Sequence, residues 1–224
     1  MKPRIFVSLE LYPRVASVIP GMDELDIAYA AARAGAAGIV VSAGTEAFHK
    51  SGMSLFDRPG LPLLCVHASL QQIDSVNSLG NAPDRVLISD EGRPVTHFDP
   101  VVEFRARIEG ARQEVGVLVE PEPQALKQAA KAGVQWVAFP TATLNESVDA
   151  NAAQQELLRL RTATMLSARN SLRVMLYGDL EQHLASAAAN LEGVEEIVPI
   201  HTLWTLATRH GWEQALSIFT RWIE

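Results

Sequence analysis

The sequence predicts a closed (β/α)8 TIM barrel spanning residues 1–224 as one domain, and three observations carry that expectation. First, residues 116–141, GVLVEPEPQALKQAAKAGVQWVAFPT, read as strand, helix and strand. Val117-Leu118-Val119 is an apolar, β-branched run too short for a helix. Glu120-Pro121-Glu122-Pro123 stops it, because proline cannot donate to a sheet ladder yet fits a first helical turn, where an acidic neighbour faces the positive helix end. Ala125, Leu126, Ala129 and Ala130 follow at helical spacing, Gly133 closes the helix, and Trp136-Val137-Ala138-Phe139 is the next strand. Such a unit implies parallel strands joined by a right-handed crossover. Second, the segments AARAGAAGIVV, SLGNAPDRVLI, QAAKAGVQWVAF and ANLEGVEEIV repeat the order helix, terminal glycine, strand. Third, no glycine-rich phosphate turn follows the first strand, as an open dinucleotide-binding sheet would require.

The elements follow in order. Residues 4–9 are strand one, then a Pro20-Gly21 turn and a helix capped by Asp23, with Ile27, Ala31 and Ala34 on its buried face and Gly35 at its end. Ile39-Val40-Val41 is strand two, residues 44–60 read as a short helix and a loop, and residues 61–66 are strand three. Leu70, Ile73 and Val76 mark a third helix closing at Gly80, before strand four at residues 85–88. A polar loop over residues 89–97 leads to Asp99-Pro100, a helix start, with Val101, Phe104 and Ile108 facing inward. A long helix over residues 148–168 has Leu157, Leu160 and Met165 as core candidates, and residues 173–176 are strand seven. Asp179 with Gln182 three residues on resembles a capping box for a helix whose apolar stripe is Leu184, Ala187, Ala188 and Leu191. Residues 196–200 are strand eight, and helical sequence over residues 202–223 breaks near His210-Gly211.

Composition narrows the function. A chain that is 48% hydrophobic and 20% charged can bury a large core, and a net charge of -7 argues against nucleic-acid or anionic-membrane partners, which are held by Lys and Arg. The lone Cys65 excludes an intrachain disulfide and suggests a reducing compartment. Glu10 and Pro13 interrupt the N-terminal apolar run too early for a signal peptide, and no run approaches the about 18 apolar residues of a membrane span. A cytoplasmic protein is expected.

In a barrel of this type chemistry sits at the C-terminal ends of the strands, which points to Glu10, Ser42, His67, Asp90, Glu91, Glu120, Thr141, Asp179 and His201. Glu10, His67, Glu120 and His201 are the candidates for acid–base catalysis; Ser42, His49, Thr96, Thr141, Asp179 and His201 are the candidates for binding a small-molecule ligand. No metal-ligand spacing and no nucleophile elbow is present, so neither a metal nor a cofactor is expected. Each candidate has an ordinary alternative: Asp179 a helix cap, Glu120 a partner of a helix N-terminus, His67 a satisfied core histidine.

These residues bring a resemblance into view. The segment from Asp26 to Val41, Pro83-Asp84-Arg85-Val86 with the loop to Thr96, the Glu120-Pro121-Glu122-Pro123 turn, and Glu195-Glu196-Ile197 with His201 are similar to pyridoxine 5'-phosphate synthase, the barrel enzyme of vitamin B6 biosynthesis. The resemblance implies the same fold, a homo-oligomer, and a condensation of a phosphorylated amino-ketone with deoxyxylulose phosphate. Departures fall at strand ends. Ser8, Glu10 and Leu11 stand where the family has Asn, Asp and His. Ser42 and Gly178 replace histidines, Leu64 and Ala138 replace glutamates, Asp90-Glu91-Gly92 replaces Glu-Lys-Arg, and Ile200 replaces a glycine, while His49, Thr96, Thr141 and His201 match. Two functions stay open: a divergent paralogue that has lost the condensation and binds a small molecule or plays a regulatory or structural part, or an active enzyme working on relocated residues.

Overall fold

The computed structural model describes residues 2–16, 23–43, 60–77, 83–108 and 112–224. Eight strands pair in sequence order, all parallel, and the last closes on the first. They are β1 (Arg4–Ser8), β2 (Gly38–Ser42), β3 (Leu63–Ser69), β4 (Arg85–Ser89), β5 (Glu114–Leu118), β6 (Trp136–Pro140), β7 (Arg173–Tyr177) and β8 (Val194–Val198). Around them lie α1 (Tyr12–Val15), α2 (Glu24–Arg33), α3 (Ile73–Asn77), α4 (Asp99–Arg107), α5 (Pro123–Lys131), α6 (Ala142–Asn145), α7 (Ala150–Arg169), α8 (Gln182–Ala189), α9 (Ile200–His210) and α10 (Trp212–Trp222). The expected neighbours β5 and β6 pair with Val117 opposite Val137, and Gly133 closes α5 at φ 74°, a conformation that disfavours a Cβ. The Pro20-Gly21 turn, the helix and loop expected within residues 44–60, and the closure at Gly80 lie outside the described residues, apart from Gly60 itself.

Several sequence expectations are corrected. β3, β4 and β7 run past their apolar stretches to Ser69, Ser89 and Tyr177, so His67 lies inside a strand and not after it. β5 starts earlier, at Glu114, and β8 earlier, at Val194. Met165 is about half exposed (49%), and Ala187 is exposed while Ala185 and Ala189 are buried. Alanine carries too little apolar area to fix the rotation of α8, and the face that packs is the one Leu184 and Ala188 share with those neighbours. Asp179 makes no cap for α8, whose N-cap is Glu181 with no side-chain bond; it caps α9 instead, its carboxylate taking the backbone N–H groups of His201 (2.6 Å) and Thr202 (3.1 Å).

The core has two parts, set by the two-residue period of a strand. Alternate residues such as Val7, Ile39, Leu64, Val66 and Val86 pack outward against the helices, and the others fill the lumen, where Phe6, Val40, Cys65, Leu87, Leu118, Trp136 and Met175 form one apolar layer. Two glycines make room for that layer's rings: a Cβ on Gly38 would stand 2.0 Å from Phe6, and one on Gly116 2.2 Å from Trp136. Gly116→Ala is therefore expected to cost about 1–3 kcal/mol by overpacking. A urea midpoint equal to that of the wild type would show that the Trp136 ring moves aside freely.

Candidate active site

One layer above the apolar plug, the same period turns the next residues of β1, β2, β3, β4 and β7 into the lumen, and there they are polar. Ser8 ends β1, Ser42 ends β2, His67 stands two residues beyond Cys65 on β3, Ser89 two beyond Leu87 on β4, and Tyr177 two beyond Met175 on β7. With Glu10, just past β1, they converge at the C-terminal mouth of the barrel. His67 Nδ1 is 2.5 Å from Glu10 Oε1 and His67 Nε2 is 2.8 Å from Ser89 Oγ. The other Glu10 oxygen accepts from Ser8 Oγ (2.9 Å) and from the Tyr177 hydroxyl, which also lies 3.0 Å from His67 Nδ1. Ser89 Oγ accepts the Gly92 N–H at 3.0 Å.

The donors and acceptors fix the protonation pattern. Burial disfavours charge on Glu10, but the adjacent His67 and the bonds from His67, Tyr177 and Ser8 outweigh it and hold the carboxyl below the usual range, so it is ionised at neutral pH. Burial, reinforced by Glu10, pushes the Tyr177 phenol well up, which keeps it a donor. A carboxylate opposite Nδ1 requires a proton on Nδ1, which leaves Nε2 to accept the Ser89 hydroxyl proton when the ring is neutral. Ser42, Ser69, Gln71, Gln72, Glu91 and Gly92 complete a cavity of about 410 Å³ with Glu10, His67 and Ser89. No Lys or Arg stands among these lining residues.

The sequence candidates divide. Glu10, Ser42 and His67 meet in this cavity. Glu120 does not: it is exposed and ion-paired with Arg159 of α7 at 2.8 Å, in a cluster with Glu122 and Glu156. His201 is exposed on the first turn of α9, its Nδ1 2.7 Å from Asp179. Thr141 is buried and donates to the Asp179 carbonyl, and Thr96 is exposed on the loop after β4; neither lines the cavity. His49 lies outside the described residues. Ser8, Ser89 and Tyr177, which bond to Glu10 or His67, are the site residues that sequence reading misses, because a polar residue at the end of an apolar run reads as a loop; counting on in twos from Phe6, Leu87 and Met175 finds them. Leu64, which the resemblance sets against the family's strand-three glutamate, does not line the mouth cavity. Leu64 packs outward under the helices, and a group that works in the mouth must come from the lumen positions Cys65, His67 or Ser69. Cys65 itself is fully buried in the apolar layer, where burial raises its thiol far from reactivity. Among the described residues no cluster suits a metal ion, and no helix is long and apolar enough to cross a membrane.

Solved structures similar to this fold include 3-keto-L-gulonate-6-phosphate decarboxylase from Vibrio cholerae (TM-score 0.66, 13% identity, covering 100% of both chains) and thiamine phosphate pyrophosphorylase from Pyrococcus furiosus (TM-score 0.67, 15% identity, covering 99% of this chain and 95% of that one). At those identities the likeness is one of fold. Among sequences, the pyridoxine 5'-phosphate synthase of Prosthecochloris aestuarii is 27% identical over 127 residues, 57% of this chain and 54% of its own, and that of Chlorobium phaeobacteroides 29% over 122 residues, 54% and 51%. The chain thus spans about half the length of these two relatives. That of Chlorobium chlorochromatii is 25% identical over 87% of each chain. The family described as "Pyridoxal phosphate biosynthesis protein PdxJ" matches residues 83–224, the stretch that runs from just before β4 to the end of the chain. Because that match covers more than half of a barrel whose strands close in the expected order, the chain belongs to the PdxJ family.

Proposed function

We propose that this chain is a PdxJ-family barrel that does not carry out the pyridoxine 5'-phosphate condensation and binds a small polar, uncharged or cationic molecule in the mouth cavity. The observation that supports this most directly is the charge of the cavity wall, where Glu10 and Glu91 face the space with no Lys or Arg among the described lining residues. A sugar phosphate brings about two negative charges into a confined site, and such a ligand is ordinarily held by cations or a cradle of N–H groups. The replacements at lumen positions, Ser42 and Ala138, also remove acid–base groups that the family resemblance implies.

In calorimetry, deoxyxylulose phosphate is expected to bind more weakly than millimolar, less than about 4 kcal/mol. In a coupled assay with the two family substrates, pyridoxine 5'-phosphate is expected not to rise above the no-enzyme control. Micromolar binding or clear turnover would overturn the reading. Native mass spectrometry of the purified protein reads the co-purified ligand directly, and reads assembly with it, for which a homo-oligomer is expected. The linked Glu10, His67 and Ser89 favour a second reading, in which the bound molecule also reacts.

A further inference from the structure

We propose that Ser89 is a nucleophile activated by His67 and Glu10, and that the mouth cavity accepts a small carboxylic ester. This rests on the reading of the cavity as a ligand site and goes beyond it. The order of contacts is that of an acyl-transfer triad: hydroxyl to Nε2 at 2.8 Å, Nδ1 to carboxylate at 2.5 Å. Each residue comes from a different part of the barrel mouth, β4, β3 and the turn after β1, so local sequence does not force them together. The carboxylate is itself positioned, by Ser8 and Tyr177 on its second oxygen. Above the serine, the turn from Asp90 to Arg93 holds Glu91 at φ 51°, a region a side chain disfavours, and this conformation sets the Gly92 N–H against Ser89 Oγ. That N–H, by donating to Ser89 Oγ, holds the hydroxyl oxygen beside His67 Nε2.

The step balances with groups on the page and water. Ser89 Oγ bonds to the acyl carbon as its proton passes to His67 Nε2, and Glu10 stabilises the imidazolium. The ester C–O bond breaks and the leaving alcohol takes that proton. Water then attacks the acyl-serine, loses a proton to Nε2, and releases the carboxylic acid as Ser89 recovers its proton. Ser89 is only 1% exposed at the base of the cavity, so the acyl group has to be small. Tyr177, which touches Glu10 and His67 but not the cavity wall, is a positioning residue.

The test uses the full chain with p-nitrophenyl acetate. The expected result is a burst of nitrophenolate stoichiometric with protein and a single acetyl group mapped to Ser89 by mass spectrometry. Ser89→Ala should abolish both, and His67→Gln and Glu10→Gln should slow the burst by roughly 10²-fold or more. Equal nitrophenolate release by wild type and Ser89→Ala, or acetylation confined to other residues, overturns the proposal. Should Ser89→Ala lose its native far-UV spectrum, Ser89→Cys decides, since its thiol should react with iodoacetamide at neutral pH far faster than in the Ser89→Cys/His67→Gln double variant. Equal rates there also overturn it. Tight binding or turnover of the family substrates would remove the proposed function without touching this result, and a ligand-binding chain that never acylates Ser89 would remove only this one.

Discussion

Arg85→Ala is expected to lower the unfolding free energy by about 3–5 kcal/mol, among the largest effects of any single substitution in this chain. Arg85 fills the N-terminal end of the lumen, opposite the site. It is 4% exposed, gives Glu196 two bonds through Nη1 (2.8 and 2.6 Å), and pairs with Glu114 through Nε at 2.8 Å. Its guanidinium carbon stands 5.6 Å from the Phe6 ring centre and 5.9 Å from that of Trp136. Truncation leaves Glu196, 4% exposed, with only its bond from Arg4 among the described residues, and opens a space beneath two rings of the apolar layer. Loss of a buried ion's partner is costly because the remaining charge keeps its desolvation penalty. For a domain of this size the thermal midpoint should fall by roughly 10 °C. Arg173 pairs with the same Glu114 but is a third exposed (33%), and Arg173→Ala is expected to cost less than about 1 kcal/mol. Equal losses in the two variants would show that burial does not govern this network.

Glu10→Gln is expected to cost about 1–3 kcal/mol at neutral pH and to flatten the acid limb of the stability curve. The cost arises because an amide offers one acceptor oxygen where the carboxylate accepts from Ser8, Tyr177 and His67, so at least one donor then faces an NH2 group. The sign of the pH effect follows from Glu10 ionising more readily folded than unfolded. Its contribution is complete above the usual carboxylate range and is lost as pH falls through that range to the lower folded value. Wild type should therefore lose more stability than Glu10→Gln on acidification from about pH 7 to about pH 3. Glu114, held low against burial by Arg173 and Arg85, retains some acid sensitivity in the variant, while Glu156, raised by burial, works the other way. Parallel urea midpoints for the two proteins across that range would contradict the assignment of Glu10 as the ionised centre of the site.

The order of elements was legible in the sequence because it depends on local chemistry. Pro123 and Gly133 bracket α5 whatever surrounds them, Asp23 caps α2 as expected and closes a capping box with Asp26, and β-branched runs such as Ile39-Val40-Val41 have no better place than a buried parallel strand. Strand ends and site membership were not legible in the same way. A polar residue at the end of an apolar run reads as a loop, whereas in a closed barrel Ser89 and Tyr177 continue their strands, since the lumen offers them each other and Glu10 across the mouth. Glu10 and His67 were candidates by position alone, on equal terms with Glu120 and His201. Only closure of the sheet brought β1, β3, β4 and β7 to one mouth, while Glu120 and His201 found nearer partners in Arg159 and Asp179. Short-range preferences therefore determined that this chain is an eight-stranded barrel. Which carboxylate meets which imidazole was decided by contacts between residues far apart in the chain, which no local pattern encodes.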